Sequence, residues 1–279
     1  MRSLLFAPAN RLDMLAKFAR IPADLFVLDL EDAVPAAARP ATREQLPQAI
    51  AAAREGGNPR TIYVRVNEVR STDFALDVQA LKRCRLDGVV LPKAESAQDI
   101  AHCLSQLGEP GRLPLIAGIE SVRGVLNCEA IAAAGVAGVF FGAEDFAADM
   151  GARRTAEGTE VLYARSKVVL AARAARIIAL DQVVVEVRDD EQFKRDANAG
   201  RNLGYHGKMC LLPRQVELAN ACFGPSAAEV DHARRLISAY EAAKAEGRGA
   251  IDFEGRMVDE PLLKRAAAVL AAAGRLPGT

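Results

Sequence analysis

The chain has no tryptophan and only three histidines, and its five cysteines, at 84, 103, 128, 210 and 222, form no C-x-x-C pair. Those shortages remove whole classes of chemistry. His102 and His232 fall in helical patterns among alanines and arginines, and His206 opens an apolar run, so a histidine-based triad or a zinc cage has little to build on. An odd set of scattered thiols argues for a reduced protein rather than a disulfide framework. Net charge is absent as well. Lys+Arg and Asp+Glu both number 36, which gives nucleic acid or an anionic membrane no bulk attraction. No window approaches a membrane span, and Met1-Arg2-Ser3-Leu4-Leu5-Phe6 reaches Pro8 before any leader-length apolar run develops. The expectation is a cytoplasmic protein that engages neither nucleic acid nor membrane.

Phosphate-cradling glycine loops are missing too. A Rossmann fold wants a Gly-rich turn after its first strand, where this chain has Ala7-Pro8-Ala9-Asn10. Gly204-Tyr205-His206-Gly207-Lys208 lacks the spacing of a Walker loop and reads as a turn into a strand.

What is present is an alternation of continuously apolar runs with Ala-rich amphipathic ones. Strands are expected over 3–8, 25–30, 61–67, 88–93, 113–120, 136–145, 179–187 and 204–213. Asn10 is placed to cap a helix carrying Leu12, Leu15 and Phe18, further helices are expected near 39–54, 159–178 and 189–202, and Gly56-Gly57-Asn58-Pro59 reads as a turn. About eight β/α units in ~220 residues fit a (β/α)8 TIM barrel, here residues 1–225. Beyond Phe223-Gly224-Pro225 the rhythm changes. Ser226 caps a long helix to about Glu246, Gly247-Arg248-Gly249 breaks it, and Pro261 opens a last helix at its first position. Residues 226–279 are therefore expected to be a C-terminal helical appendage. Its segment 251–259 is too Gly-interrupted for a barrel element, yet apolar enough at Ile251, Phe253, Met257 and Val258 to need a surface, as a lid would.

In a barrel of this kind the site lies at the C-terminal ends of the strands. Asp29, Glu31 and Asp32 stand there after the second strand, Arg65 and Asn67 after the third, Lys93 after the fourth, Glu120 after the fifth, and Glu144-Asp145 after the sixth. Carboxylates converging without His or Cys favour a hard divalent cation, and Glu120 and Asp145 are the candidate Mg²⁺ ligands. The competing reading makes such acids helix caps or solvated loop residues. Arg65, alternating with strand neighbours, points inward and needs an anion, either a substrate carboxylate or a structural partner among Asp29, Glu31 and Asp32. Lys93 raises a rival chemistry, a Schiff base, if burial depresses its pKa; acid-rich surroundings favour a salt-bridged lysine instead.

The motifs Arg2-Ser3-Leu4-Leu5-Phe6-Ala7-Pro8, Asp29-Leu30-Glu31-Asp32-Ala33-Val34, Val64-Arg65-Val66-Asn67, Leu91-Pro92-Lys93, Ile119-Glu120-Ser121 and Gly142-Ala143-Glu144-Asp145 together resemble the citrate lyase beta-chain-like branch of the HpcH/HpaI aldolase superfamily. The likeness continues through Gly207-Lys208, Pro213-Arg214-Gln215-Val216, Phe223-Gly224-Pro225-Ser226 and Gly255-Arg256-Met257-Val258-Asp259-Glu260-Pro261, nearly the whole chain. The resemblance implies a Mg²⁺-dependent oxo-acid lyase acting on a 3-hydroxyacyl-CoA such as malyl-CoA, citramalyl-CoA or citryl-CoA, with acetyl-CoA and an oxo acid as products. It implies that Glu120 and Asp145 bind the metal, with Asp29, Glu31 and Asp32 behind them. Arg65, Asn67 and Lys93 then bind substrate. Asp259 becomes an acid/base on a lid reaching a neighbouring subunit, in a homotrimer or hexamer with shared sites. Where relatives read Ile-His-Pro, this chain has Leu211-Leu212-Pro213. Alternatives are the beta subunit of a multi-subunit citrate lyase, a malyl-CoA thioesterase, a Lys93 Schiff-base aldolase, or a barrel kept for assembly without turnover.

Overall fold

A computed structural model describes the chain except residues 57–59, 109–112, 246 and 275–279. Most of the turn expected over 56–59 thus lies outside the described residues, as does Glu246. Eight parallel strands close a barrel in sequence order: β1 Ser3–Pro8, β2 Leu25–Asp29, β3 Ile62–Arg65, β4 Gly88–Leu91, β5 Leu115–Ile119, β6 Gly138–Phe141, β7 Ile178–Asp181 and β8 Gly207–Cys210, with β8 pairing back to β1. The helices among the described residues are α1 Leu12–Leu15, α2 Arg39–Arg54, α3 Thr72–Leu81, α4 Ala97–Leu107, α5 Val122–Leu126, α6 Cys128–Ala132, α7 Ala143–Met150, α8 Leu162–Ala175, α9 Asp190–Leu203, α10 Pro213–Phe223, α11 Ala227–Ala245 and α12 Glu260–Ala273. None is long and apolar enough to cross a membrane.

The barrel interior is filled by one parity of each strand. Leu4, Leu25, Val27, Tyr63, Val90, Ile116, Phe140, Leu180 and Met209 form a single buried cluster, with Phe6, Ile178 and Val183 packed on it. Side chains alternate along a strand, so the opposite parity, such as Leu28, Val64 and Ala117, faces the surrounding helices. The interior parity therefore decides what appears at the mouth: two residues beyond Val27, Tyr63 and Gly118 stand Asp29, Arg65 and Glu120.

Several boundaries differ from the sequence expectation, for physical reasons. The run expected as a strand over 136–145 pairs only through Phe141; Gly142 leaves the sheet and α7 begins at Ala143, so Glu144 and Asp145 occupy the first helical turn. Acids are favoured there by the helix dipole. The seventh run likewise stops pairing at Asp181, and its valines continue as loop. Apolarity alone does not separate a paired strand from a loop that lines a cavity. Asn10 does not cap α1. Arg11 holds the cap position without a side-chain cap bond, its guanidinium bound to Asp13, and Asn10 Oδ1 is buried without a partner. After Leu15 the chain tightens into a 3₁₀ turn over Ala16–Arg20, so the expected helix through Phe18 is α-helical for one turn only.

The chain divides into two compact units, Met1–Asn220 and Ala221–Thr279. In the second, α11 and α12 pack with an antiparallel hairpin, β9 Ile251–Phe253 and β10 Arg256–Val258. Ser226 begins α11 with a reciprocal cap: its hydroxyl accepts from the Glu229 N–H at 3.1 Å, and the Glu229 carboxylate accepts from the Ser226 N–H at 2.8 Å. The hairpin turns at Glu254 and Gly255, with φ of 54° and 76°. Ile251 and Val258 join Ala233, Leu236, Tyr240, Ala243 and Ala266 in this unit's own core, whereas Met257 is 79% exposed. Pro261 is the second residue of α12, after Glu260, rather than the first.

Candidate active site

A cavity of about 430 Å³ opens at the C-terminal ends of the strands, lined by Asp29, Asp32, Arg65, Glu120, Glu144 and Asp145 among others. Glu120 is its most constrained acid. The side chain is 4% exposed, and Oε1 accepts the backbone N–H of Lys93 at 2.9 Å. That N–H is aimed by a left-handed Lys93, φ 51°, a conformation that costs a non-glycine residue roughly 1–3 kcal/mol. Two glycines make the room: a Cβ on Gly118 would come 2.3 Å from Glu120 Oε1, and one on Gly142 would come 2.6 Å from Oε2.

Asp29 and Arg65 form a second construction across the β2–β3 register, where their Cα atoms pair. Arg65 donates from Nε and Nη2 to the two Asp29 oxygens, both at 2.7 Å, and Asp29 also accepts the N–H groups of Glu31 at 2.9 Å and Ala33 at 3.0 Å. Burial opposes the Arg65 charge, but the bonds to Asp29 and the pull of Glu31 and Glu120 outweigh it and leave the guanidinium pKa raised. Its plane stacks 5.0 Å from the Phe6 ring centroid. Arg65 Nη1 reaches Glu31 Oε2 at 2.9 Å, yet that oxygen has no hydrogen bond of proper geometry. Lys93 Nζ donates to Glu31 Oε1 at 2.8 Å and lies 3.7 Å from Asp32 Oδ1.

The acids outnumber their counter-charges. Five carboxylates line the cavity against one arginine. Burial, reinforced by Glu31 and Asp145, pushes Glu120 well above the usual carboxylate range even though Arg65 opposes it. Glu31, also chiefly through burial, is pushed up to about 7. Such a surplus of desolvated carboxylates is what a cation relieves, and an all-oxygen donor set suits Mg²⁺. Among the described residues no cluster of three or more His, Cys, Asp or Glu side chains has metal-holding spacing. Mg²⁺ needs only one or two protein carboxylates, and the notch kept open around Glu120 fits it.

Asn67, Glu31 and Lys93 are not among the residues that line the cavity. Asn67 is buried behind it, its backbone N–H and Nδ2 donating to Asp77 at 2.7 and 2.8 Å and Nδ2 also to the Leu30 carbonyl at 3.1 Å. Asp32 stands exposed at the rim, and Glu144 accepts from Arg154 Nε at 2.9 Å. Asp259 is exposed at the N-cap of α12, in the second unit. Lys93, for which a depressed pKa would have allowed a Schiff base, has a raised one: burial lowers it, but the bond to Glu31 and the nearby acids win.

The model of the family described as HpcH/HpaI aldolase/citrate lyase matches residues 2–213. The chain belongs to that family. It is similar to the citrate lyase subunit beta-like protein of Deinococcus radiodurans, 46% identical over 97% of this chain and 96% of the relative. It is also similar to the mitochondrial citramalyl-CoA lyase of Homo sapiens, 32% identical over 95% of this chain and 83% of the relative. Its fold overlays the crystal structure of CitE from Mycobacterium tuberculosis in complex with magnesium, acetoacetate and coenzyme A, with TM-score 0.85, 34% identity and 98% of each chain covered.

What sequence reading missed in this HpcH/HpaI barrel is the apolar half of the cavity: Phe6, Phe140, Val183, Val185, Met209 and Leu211. The signal was available, since Met209 and Leu211 continue the interior parity of β8. The glycines at 118 and 142 were equally legible as inward positions left empty beside Glu120.

Proposed function

We propose that the chain is a Mg²⁺-dependent carbon–carbon lyase that cleaves a 3-hydroxyacyl-CoA into acetyl-CoA and an oxo acid. The observation that carries this reading is the Glu120 carboxylate, held in a glycine-lined notch with an acid surplus around it and a fixed guanidinium beside it. In cleavage, the bond between the carbinol carbon and the thioester α-carbon breaks. Its electron pair passes to the α-carbon, the hydroxyl proton is removed as the oxo acid's carbonyl forms, and the α-carbon takes one proton to give acetyl-CoA. Glu120 and Asp145 are the residues that would hold Mg²⁺, which supplies Lewis-acid polarisation of the oxygen that becomes the carbonyl.

The chain's own side chains do the rest. Arg65, locked by both oxygens of Asp29, presents fixed positive charge to the substrate carboxylate and to the oxygen on which charge develops. Glu31 spaces Arg65 from Lys93, and Lys93 contributes its backbone N–H to Glu120 and a standing ammonium to the rim. A protonated lysine is a poor nucleophile, which disfavours the Schiff-base route. Asp259 is assigned the proton transfer, acting from the start of α12 of a neighbouring subunit in a homotrimer or hexamer. The buried thiols of Cys103, Cys128 and Cys210 suit a reducing cytoplasm.

The test is cleavage of malyl-CoA and citramalyl-CoA by the purified protein, with CoA products detected by mass. EDTA should abolish activity and Mg²⁺ restore it, and borohydride should leave no adduct on Lys93; an adduct overturns the mechanism. Mixing Asp259→Ala with Asp145→Ala should recover activity through mixed oligomers. No recovery after verified subunit exchange would return the lid to its own barrel or remove Asp259 from the chemistry.

A further inference from the structure

The cavity's lining is of two characters: carboxylates and Arg65, with Phe6 stacked under that guanidinium and Phe140 beside Glu120, and an apolar wall of Val183, Val185, Met209 and Leu211 at the ends of β7 and β8. The wall is built rather than incidental. Val183 and Val185 ride on the loop after β7 and Leu211 on the loop after β8, and buried Gln215 clamps the two loops together. Its Oε1 accepts the Leu211 N–H at 2.7 Å, and its Nε2 donates to the Val184 carbonyl at 2.9 Å. Fully buried Lys208 pins the same β7 loop, donating to the Gln182 carbonyl at 2.7 Å.

Among the described residues of the barrel, the three cations at the cavity and its rim are committed. Arg65 is taken up by Asp29 and Glu31, Lys93 by Glu31, and Arg154 by Glu144 and Glu160. At the acidic end, one substrate carboxylate would meet the face of Arg65 and the cation that Glu120 and Asp145 would hold. A second would lie against the apolar wall or against Asp32, Glu144 and Asp145, with no free positive charge among the described residues of the barrel to meet it, and a buried unpaired carboxylate is strongly disfavoured.

We propose that this wall is the specificity determinant, and that the chain takes a substrate with a single free carboxylate and a short alkyl substituent beside the bond that breaks. The oxo acid released is then a 2-oxo monocarboxylic acid with an alkyl chain rather than a dicarboxylic one. The proposal rests on the lyase reading above. Apolar contact alone separates neighbouring substrates by about 10–200-fold per methylene, whereas an unpaired charge adds a further penalty.

The experiment runs the reaction in the condensing direction with acetyl-CoA, Mg²⁺ and pyruvate, 2-oxobutyrate or oxaloacetate, and compares kcat/KM. Pyruvate or 2-oxobutyrate should exceed oxaloacetate by at least about tenfold. Leu211→Arg, and separately Val185→Arg at a more exposed point of the wall, supplies the missing cation and should shift the ratio toward oxaloacetate by at least about tenfold. Preference for oxaloacetate in the unaltered protein, or an unchanged ratio in both folded variants, overturns the proposal. If no acid condenses, the lyase reading falls separately, and thermal stabilisation by each oxo acid with Mg²⁺ still decides the wall. A larger shift with 2-oxobutyrate than with oxaloacetate supports it; the reverse order, or no shift with either, sinks it.

Discussion

Outside the barrel wall, against α8 and α9, Arg165 and Lys208 face Asp181 and Asp196, two cations for two anions. Arg165 grips Asp181 through Nε at 2.8 Å and Nη2 at 2.5 Å and reaches Asp196 at 3.0 Å, while Lys208 Nζ donates to Asp181 at 3.0 Å and to Asp196. Arg165, Lys208 and Asp181 are buried and Asp196 is part-buried, and α9 comes so near that a Cβ on Gly200 would meet Asp181 Oδ2 at 2.2 Å. Burial alone would raise Asp196, yet Lys208 and Arg165 hold its pKa below the usual value. At the mouth of the same barrel the same residue types are arranged differently, with five cavity carboxylates, one arginine and an opening to solvent. Balance and burial make a structural staple. Imbalance and access make a place for a cation and an anionic ligand.

That contrast is broken most severely by unbalancing the staple. Lys208→Met leaves Asp181 and Asp196 short of a partner and should cost about 3–5 kcal/mol of unfolding free energy in urea titration. A loss below ~1 kcal/mol would mean that the network is not what holds β7, β8 and α9 together.

A smaller effect is expected from Arg65→Lys. It keeps the charge but loses the planar fork that engages both Asp29 oxygens, so kcat/KM should fall at least about tenfold, or ~1.4 kcal/mol of transition-state stabilisation. Unchanged kinetics in a folded variant would make Arg65 a structural ion pair like Arg165.

The smallest effect concerns His206, beside the staple at the entry to β8. Burial, then Arg173 and the N-terminal charge, depress its pKa to about 4, and its Nδ1 accepts the Ala179 N–H at 3.0 Å. The unfolded chain binds a proton below about pH 6.5 that the folded chain refuses until about pH 4. This contribution is therefore complete above about 6.5 and declines as pH falls toward 4. Between pH 7 and 5 the half-buried group should cost about 1 kcal/mol of stability after screening, and His206→Gln should lose that much of the pH dependence. An identical pH profile in the variant would refute the assignment.

The barrel itself was legible because eight apolar runs with intervening amphipathic helices admit few other closures, and interior parity carried Asp29, Arg65 and Glu120 to one mouth. Less legible were the points where pairing stops. Val183 to Val187 read as strand because a cavity wall and a sheet interior demand the same apolar residues, and Gly142 to Asp145 because they follow the paired run of β6 without a break. Asn67 looked like a site residue from its place after β3, but Asp77, on α3, takes both its backbone and side-chain donors. That partner is ten positions away, and spacing along a strand does not reveal it. The commitment of Arg65 to Asp29 was open between two readings, since an inward arginine requires an anion whichever molecule supplies it.

The central claim is that the acid surplus around Glu120 exists to hold one divalent cation. Isothermal titration of Mg²⁺ into the protein measures this directly, with Glu120→Gln as the comparison and circular dichroism to verify the fold. The account predicts one Mg²⁺ per chain in the unaltered protein, at least about a hundredfold weaker binding in Glu120→Gln, and thermal stability of the metal-free variant equal to or above that of the unaltered chain, because a desolvated surplus carboxylate has been removed. Equal Mg²⁺ affinity in the two proteins, or a metal-free Glu120→Gln that unfolds at lower temperature, would contradict it.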